Sequence, residues 1–497
     1  MSGRPAALGI DIGTTSVKAG LLWLDDPTAP MTIARAPYPS SRPRPGWVEQ
    51  DPDDWMDGIA TCWSELSAVA GPVDLQAIGI CSQVNTHVLV DGELRPIHPA
   101  ITWQDIRAAS EAAALDDDAS DGREELWGGP FVIDASFALS RLAWLQANVP
   151  DARVLARWLL LPRDLVLARL TGRVATDAIS PVGLIGPGDL YIDGVLDLVP
   201  GSAELVPPIG ALDDVAGETE AGNPAGLPEG VPVAIGTMDA WASVIGSGLL
   251  TPGRAMDVGG TSEVVAVSSE RTVGKAGIIS FPPFRGTHLH AGPTQAGGAA
   301  ATWAASALGL TLDELLAAAT EARSDPQPII FLPHLAGERA PYWNPDARGT
   351  FVGITTSTET RHLALAVLEG VAFSVRMVLE TCEAAAGVDP RSLRLSGGSA
   401  LSATWNAIKT DATGRPVDVL RTLESSVLGA ALIAQAALGH QTSLEHLAEQ
   451  AVAISERIEP DAACAIRLER LYGVYQDTYR ALEPIFPRLP STAGRPD

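Results

Sequence analysis

The string Asp11-Ile12-Gly13-Thr14-Thr15-Ser16 returns, little altered, as Asp257-Val258-Gly259-Gly260-Thr261-Ser262, almost half a chain length later. Each copy follows a run of small apolar residues, Ala6 to Ile10 and Ala255-Met256. Each precedes a strand-like run, Val17 to Leu24 and Val264 to Val267. The pattern predicts strand, tight Gly/Thr turn, strand, twice over. Such a turn presents backbone N–H groups and hydroxyls to a phosphate, and its glycines permit the close approach and positive φ this needs. Two copies on two half-chains point to two lobes gripping one polyphosphate from opposite sides.

A chain of 497 residues exceeds what one hydrophobic core usually supports, which favours two domains. A hydrophobic content of 46% and 12 tryptophans mark a globular protein; a few short segments read as disordered, among them the acidic stretch Asp116–Asp121 and the tail after Pro487. The formal net charge of −26 argues against nucleic acid or an anionic membrane as partner, because both reward basic patches. It leaves room for a nucleotide held by a local nest of N–H groups and a divalent cation. The cysteines Cys62, Cys81, Cys382 and Cys464 lack CxxC spacing and read as buried thiols of a reducing cytosol. His288 and His290 alternate on a strand, a structural pattern more than a metal pair. With no leader-like N-terminus and no apolar run of about 18 residues, a cytoplasmic protein is expected.

Strands are expected at Leu8–Ile12, Val17–Trp23, Ala77–Ser82, His87–Val90, Val231–Ile235 and Ser392–Leu395. Helices are expected at Asp53–Ala70, Ser136–Gln146, Pro162–Leu170, Gly297–Leu308, His362–Ala386 and Ala403–Thr413. Asp213–Gly230, rich in Gly, Pro and acids, reads as loops. Gly246, Gly248, Pro252 and Gly253 break periodicity at an expected hinge. Alternating strands and helices with paired hairpins give an α/β fold in each lobe.

Asp11 ends a buried strand beside the first turn, where a carboxylate can hold Mg²⁺ through water or simply close an Asx turn. Lys18, one of three lysines, is placed to reach phosphate oxygens or to be a solvated strand residue. Asp239 follows a short strand and precedes an apolar helix. It can accept a proton from a hydroxyl that attacks a phosphorus, or cap the helix. Gly397-Gly398 lets a flat ring approach the backbone, a weak signal by itself. Neither GxxxxGK[ST] nor GxGxxG occurs in a suitable context, which disfavours a Walker-type NTPase and a dinucleotide-dependent dehydrogenase.

Taken together, these segments resemble the FGGY family of carbohydrate kinases, within the actin-like, ribonuclease-H-like ATPase superfamily. The likeness runs through Gly9 to Lys18 and through Gly46-Trp47-Val48-Glu49-Gln50-Asp51-Pro52, a segment typical of the family's xylulokinases. It continues through Trp103-Gln104-Asp105-Ile106-Arg107, Gly337-Glu338-Arg339-Ala340-Pro341, Ala347 to Gly353, and Ser396-Gly397-Gly398-Ser399 with Asp411 and Gly429. The resemblance implies a two-lobed fold with an active-site cleft between a lobe of residues 1–247 and one of 248–497. It implies ATP and Mg²⁺, a small sugar or polyol substrate, and a homodimer among the allowed states.

By the same resemblance Asp239 is the general base, and Asp11 organises Mg²⁺ and phosphate. Gly13, Thr14, Thr15, Ser16, Lys18, Gly260 and Thr261 fall at the phosphates. Gly298, Gly397, Gly398 and Ser402 fall at the nucleotide, and Val84, Asn85, Trp103 and Asp105 line the sugar pocket. The implied reaction is phosphorylation of a ketopentose such as D-xylulose. Other family substrates (ribulose, a deoxyketose, erythritol, glycerol) stay open, as more remotely does a sugar sensor or an actin-like ATPase. Asn85 and Ala240 replace the His and Asn usual in xylulokinases, and Ala407 a common Gln, so substrate preference rests on altered polar groups.

Overall fold

The computed structural model describes residues 3–129, 131–439 and 442–489. The chain divides into two units. Residues up to Gly246 with Ser426–Ala451 form the first, and Ser247–Ser425 with the residues from Val452 onward form the second. The division expected at 247/248 leaves Ser426–Ala451 in the second half, whereas here this segment packs with the first unit.

Among the described residues each unit is built on a mixed sheet of seven strands. In the first, β1 (Arg4–Ile12) pairs antiparallel with β2 (Ser16–Trp23), β2 with β3 (Thr32–Pro37), and β1 runs parallel to the strand Val73–Ser82. β1 is buried from Ala6 to Ile12, as a strand covered on both faces must be. One cover is helix α1 (Pro52–Ala70). Asp51 caps it by accepting from the Asp53 N–H, Pro52 opens it and Gly71 closes it. Its Trp55, Met56, Ile59, Cys62 and Leu66 enter the core.

The helix Ser425–Ala437 approaches the same sheet so closely that side chains are excluded at the contact. A Cβ on Gly9 would lie 2.1 Å from the Val427 carbonyl oxygen, and one on Gly79 would lie 1.9 Å from that of Ala430. Backbone-to-backbone contact of this kind explains why the segment belongs to the first unit.

The second unit repeats the local topology. Ala255–Gly259 pairs antiparallel with Glu263–Ser269 and parallel with Leu393–Ser396. The sequence echo is thus an echo of hairpin and parallel neighbour. The helix Thr360–Ala386 is long and apolar enough to cross a membrane, but 89% of its apolar window is buried, and it forms the core of this unit.

Two expectations give way. The acidic stretch 116–121 is ordered, ending the helix Ala109–Asp118, because Asp116 pairs with Arg123 at 2.6 Å and accepts from the Ile133 N–H. Within 213–230, Val215–Glu218 is a strand at the sheet's edge. His290 is hydrogen-bonded to Ser269 and Ser280, in keeping with a structural pattern. The tail from residue 490 lies outside the described residues.

Candidate active site

The first turn joins β1 to β2 and is fixed by its own backbone and by neighbours in the same unit. The Gly13 N–H donates to the Ser16 carbonyl at 3.1 Å, the Tyr38 N–H to Thr15 O at 3.1 Å, and Gln50 Nε2 to Thr14 O at 2.8 Å. The Tyr38 hydroxyl donates to Gly13 O. Gln83 Nε2 donates to Gln50 Oε1 at 2.7 Å, which turns the Gln50 amide group toward the turn. Thr15 is exposed, and Gly13 and Thr14 are half-buried. Ser16 departs from the expected phosphate-facing position: it is 2% exposed and its Oγ accepts from Arg35 Nε at 3.0 Å. Its hydroxyl therefore anchors the turn to β3.

Asp11 and Asp239 are brought together in this unit. The buried Asp11 accepts from Ser426 Oγ at 2.8 Å, a contact supplied by the helix Ser425–Ala437. Asp239 opens the helix Asp239–Gly246, and its carboxylate accepts the Ala240 N–H at 2.8 Å. Burial first, and then the charge of Asp11, push the Asp239 carboxyl up to about 7; backbone N–H groups and Lys18 oppose the shift. Lys18, facing Asp11 across the hairpin, is thus close enough to be felt at Asp239.

The placement of Asp239 rests on residues that motif reading passed over. Gly236 has φ +78°, and a Cβ there would stand 1.9 Å from Ile80 O. The fully buried Arg163 donates to Gly236 O at 2.7 Å and to Asp177 at 2.9 Å, and Thr237 Oγ1 donates to Asp177 Oδ2 at 2.7 Å. Thr237 and Met238 then pair with Cys81 and Ser82 in the sheet. The available signal was Pro162-Arg163-Asp164, charged residues at the start of an otherwise apolar helix.

Of the residues expected at the sugar, Val84 and Asn85 lie in a turn, both half-buried, with Asn85 at φ +54°. Trp103 is 37% exposed, its N–H donates to Thr86 Oγ1, and its indole Nε1 donates to Thr14 Oγ1 at 3.0 Å. Asp105 is 1% exposed, and its carboxylate accepts from the Val48 N–H and from Arg107, whose guanidinium lies 3.8 Å from the centroid of Trp47. Both carboxylate oxygens are thus engaged within the protein.

In the second unit Gly260 and Thr261 are exposed at the tip of the second turn. The helix Gly298–Leu308 starts against it: Gly298 N–H donates to Gly260 O at 2.9 Å and Ala299 N–H to Thr261 O at 3.0 Å. Gly397 adopts φ +80° with its α-carbon against the turn, since a Cβ would meet Gly259 O at 2.3 Å. Gly398 begins a short 3₁₀ segment, and Ser402 caps Ala403–Thr413 by accepting from the Trp405 N–H. The Ser402 hydroxyl is thus committed to the helix end.

Beneath the turn lies a charge cluster absent from the sequence reading. Buried Lys409 Nζ donates to Asp257 at 2.6 Å, Glu263 at 3.0 Å and Ser399 at 3.2 Å. Burial pulls Lys409 down, but the two carboxylates override it and hold the ammonium above its ordinary value. Glu263 is driven well up by burial and by Asp257.

The fold is the two-domain α/β fold of actin-like, ribonuclease-H-like ATPases. A solved structure, a xyloylose kinase from Brucella ovis, covers 97% of this chain and 100% of its own with TM-score 0.85 at 28% identity. Residues 6–246 match the N-terminal domain, and residues 255–438 the C-terminal domain, of the FGGY family of carbohydrate kinases. The xylulose kinase of Escherichia coli (strain K12) is 30% identical over 489 residues, spanning 96% of this chain and 98% of that one. The glycerol kinase of Alkalilimnicola ehrlichii is 32% identical over 469 residues, spanning 87% and 90%. The chain belongs to the FGGY family of carbohydrate kinases, phosphotransferases with an alcohol group as acceptor.

Proposed function

We propose that the protein transfers the γ-phosphoryl group of ATP to a hydroxyl of a ketopentose such as D-xylulose. The observation that carries the reading is Asp239: a carboxylate beside Asp11, poised near neutrality, at the head of a helix. As general base it accepts the proton of the attacking hydroxyl while that oxygen approaches the γ-phosphorus in line. In this reading residues 1–247 carry the acceptor site and the first phosphate turn, and residues 248–497 the second turn and the adenosine segment. Thr14 and Thr15 offer N–H and hydroxyl groups to phosphate oxygens, as does Thr261, while Gly13 and Gly260 spend their N–H groups on closing the two turns, to the Ser16 and Ser262 carbonyls at 3.1 and 2.9 Å.

Magnesium is implied by the family, and the residues present fit it. Asp11 and Asp239 are neighbouring carboxylates, hard oxygen donors of the kind Mg²⁺ takes. That suits a cation taking one carboxylate, here Asp11 through water, with phosphates and waters as its other ligands. Once bound, such an ion neutralises charge on the transferring phosphoryl group.

The xylulose kinase relatives support a ketopentose. Asn85, Ala240 and the glycerol kinase relatives support a second reading, in which the acceptor is glycerol or another polyol. An ADP-release assay over D-xylulose, D-ribulose, erythritol and glycerol, with Asp239→Ala as blank, decides between them. Highest kcat/KM on D-xylulose supports the first reading; highest kcat/KM on glycerol or erythritol supports the second. ADP release equal with and without any acceptor contradicts both.

A further inference from the structure

Asn85 sits in the left-handed region at φ +54° and is held at two points. Its carbonyl accepts from Arg141, a fully buried guanidinium that also donates to Ile101 O, Thr102 O and His87 Nδ1. One cation thereby ties the Asn85 turn to the strand that leads into Trp103. The side chain is held separately: Asn85 Nδ2 lies 3.1 Å from Ser136 Oγ, and Ser136 Oγ lies 2.7 Å from Asp134 Oδ1.

The direction of these bonds follows from donor and acceptor inventory. The Asp134 carboxylate only accepts, so the single Ser136 hydroxyl proton is spent on it. Ser136 Oγ can then only accept from Asn85, so the amide's NH₂ must be the group that faces it. Asn and Gln amides are otherwise ambiguous in orientation; here the chain of partners fixes which end is which. Oδ1 is left pointing away from Ser136, as an acceptor with no proton to offer.

We propose that Asp134 and Ser136 are positioning residues that lock Asn85 with its carbonyl oxygen toward the acceptor substrate, so that this position selects an acceptor hydroxyl and rejects an anionic oxygen. The inference rests on the reading that Asn85 lines the acceptor site. A hydroxyl of a neutral ketose or polyol donates to Oδ1. A carboxylate oxygen of an aldonate placed there meets another acceptor-only oxygen, and a buried polar contact left unmade discriminates strongly. The class selected is therefore neutral ketoses and polyols.

The test is the ratio of kcat/KM for the best neutral acceptor (D-xylulose or glycerol) to that for D-gluconate, in wild type, Ser136→Ala, Asp134→Asn and Asn85→Ala. The wild-type ratio is expected to exceed about 100, in line with a mismatched polar contact. Ser136→Ala frees the amide to turn, and Asp134→Asn lets Ser136 donate to Asn85. Each should lower the ratio by about 3–10-fold, the worth of one hydrogen bond, with the KM for ATP unchanged. A merely structural role would move both substrates together and leave the ratio alone. A wild-type preference for gluconate overturns the inference. So does a ratio that changes in Asn85→Ala but in neither relay variant, while leaving the acceptor-site reading standing. If Asn85→Ala changes neither the ratio nor the acceptor KM, the placement of the acceptor site fails, and the inference with it.

Discussion

Trp103 Nε1 donates to Thr14 Oγ1 at 3.0 Å, so a side chain of the proposed acceptor segment is bonded to the first Gly/Thr turn. The two residues are far apart in sequence and meet because Thr102 and Trp103 are carried back to the turn by the Val48, Thr86 and Arg141 contacts. Trp103→Phe keeps the ring and removes the N–H. Steady-state kinetics should show KM rising about 2–10-fold for both ATP and acceptor, the worth of one hydrogen bond acting on two groups. An effect on acceptor KM alone would mean that the contact does not order Thr14.

Asp239 is shifted up to about 7 by burial and by Asp11, and the sign of its linkage to folding is set by that direction. A carboxyl raised in the folded state contributes stability below its unfolded value near 3.8 and loses it as pH rises through about 7. Asp239→Asn, which cannot ionise, should therefore raise Tm more at pH 8 than at pH 5. Thermal unfolding at the two pH values checks it, and an equal change at both would contradict the raised value.

Lys409 balances Asp257 and Glu263 under the second turn. Lys409→Met leaves two carboxylates buried without their cation, and breaking such a cluster costs about 3–5 kcal/mol. The triple variant Lys409→Met, Asp257→Asn, Glu263→Gln removes the charge altogether and should recover most of that loss. Urea denaturation of the three proteins measures both steps.

Gly79 touches the helix Ser425–Ala437 backbone to backbone, with 1.9 Å available for a Cβ where ordinary contact needs well over 3 Å. Gly79→Ala should cost at least about 1–3 kcal/mol, the usual penalty of overpacking, because the obstruction is a carbonyl and not a movable side chain. Chemical denaturation reads the loss.

Much of this was legible in the sequence, for reasons visible in particular residues. The turns at Asp11 and Asp257 could be read because Gly and Thr punctuate strongly between apolar runs. Helix α1 could be read because Asp51-Pro52 and Gly71 mark its ends. The docking of Ser425–Ala437 was hidden, since the small residues that permit it, Gly9, Gly79 and Gly429, carry no periodic signal. The engagement of Asp105 by the Val48 N–H, the fixing of Ser16 by Arg35 and the burial of Lys409 between two acids depend on tertiary partners. So does the order of the 116–121 stretch, where charge suggested disorder until Arg123 and the Ile133 N–H were found to meet Asp116.

Whether Asp239 acts as the base of the phosphoryl transfer is read from kcat/KM for the acceptor as a function of pH. It should fall about tenfold per pH unit below about 7, as the free enzyme's base takes up a proton. Asp239→Asn should lose at least about a hundredfold in kcat while still binding acceptor and nucleotide. A wild-type profile flat from pH 8 to pH 5, or near-normal turnover by Asp239→Asn, would contradict that role.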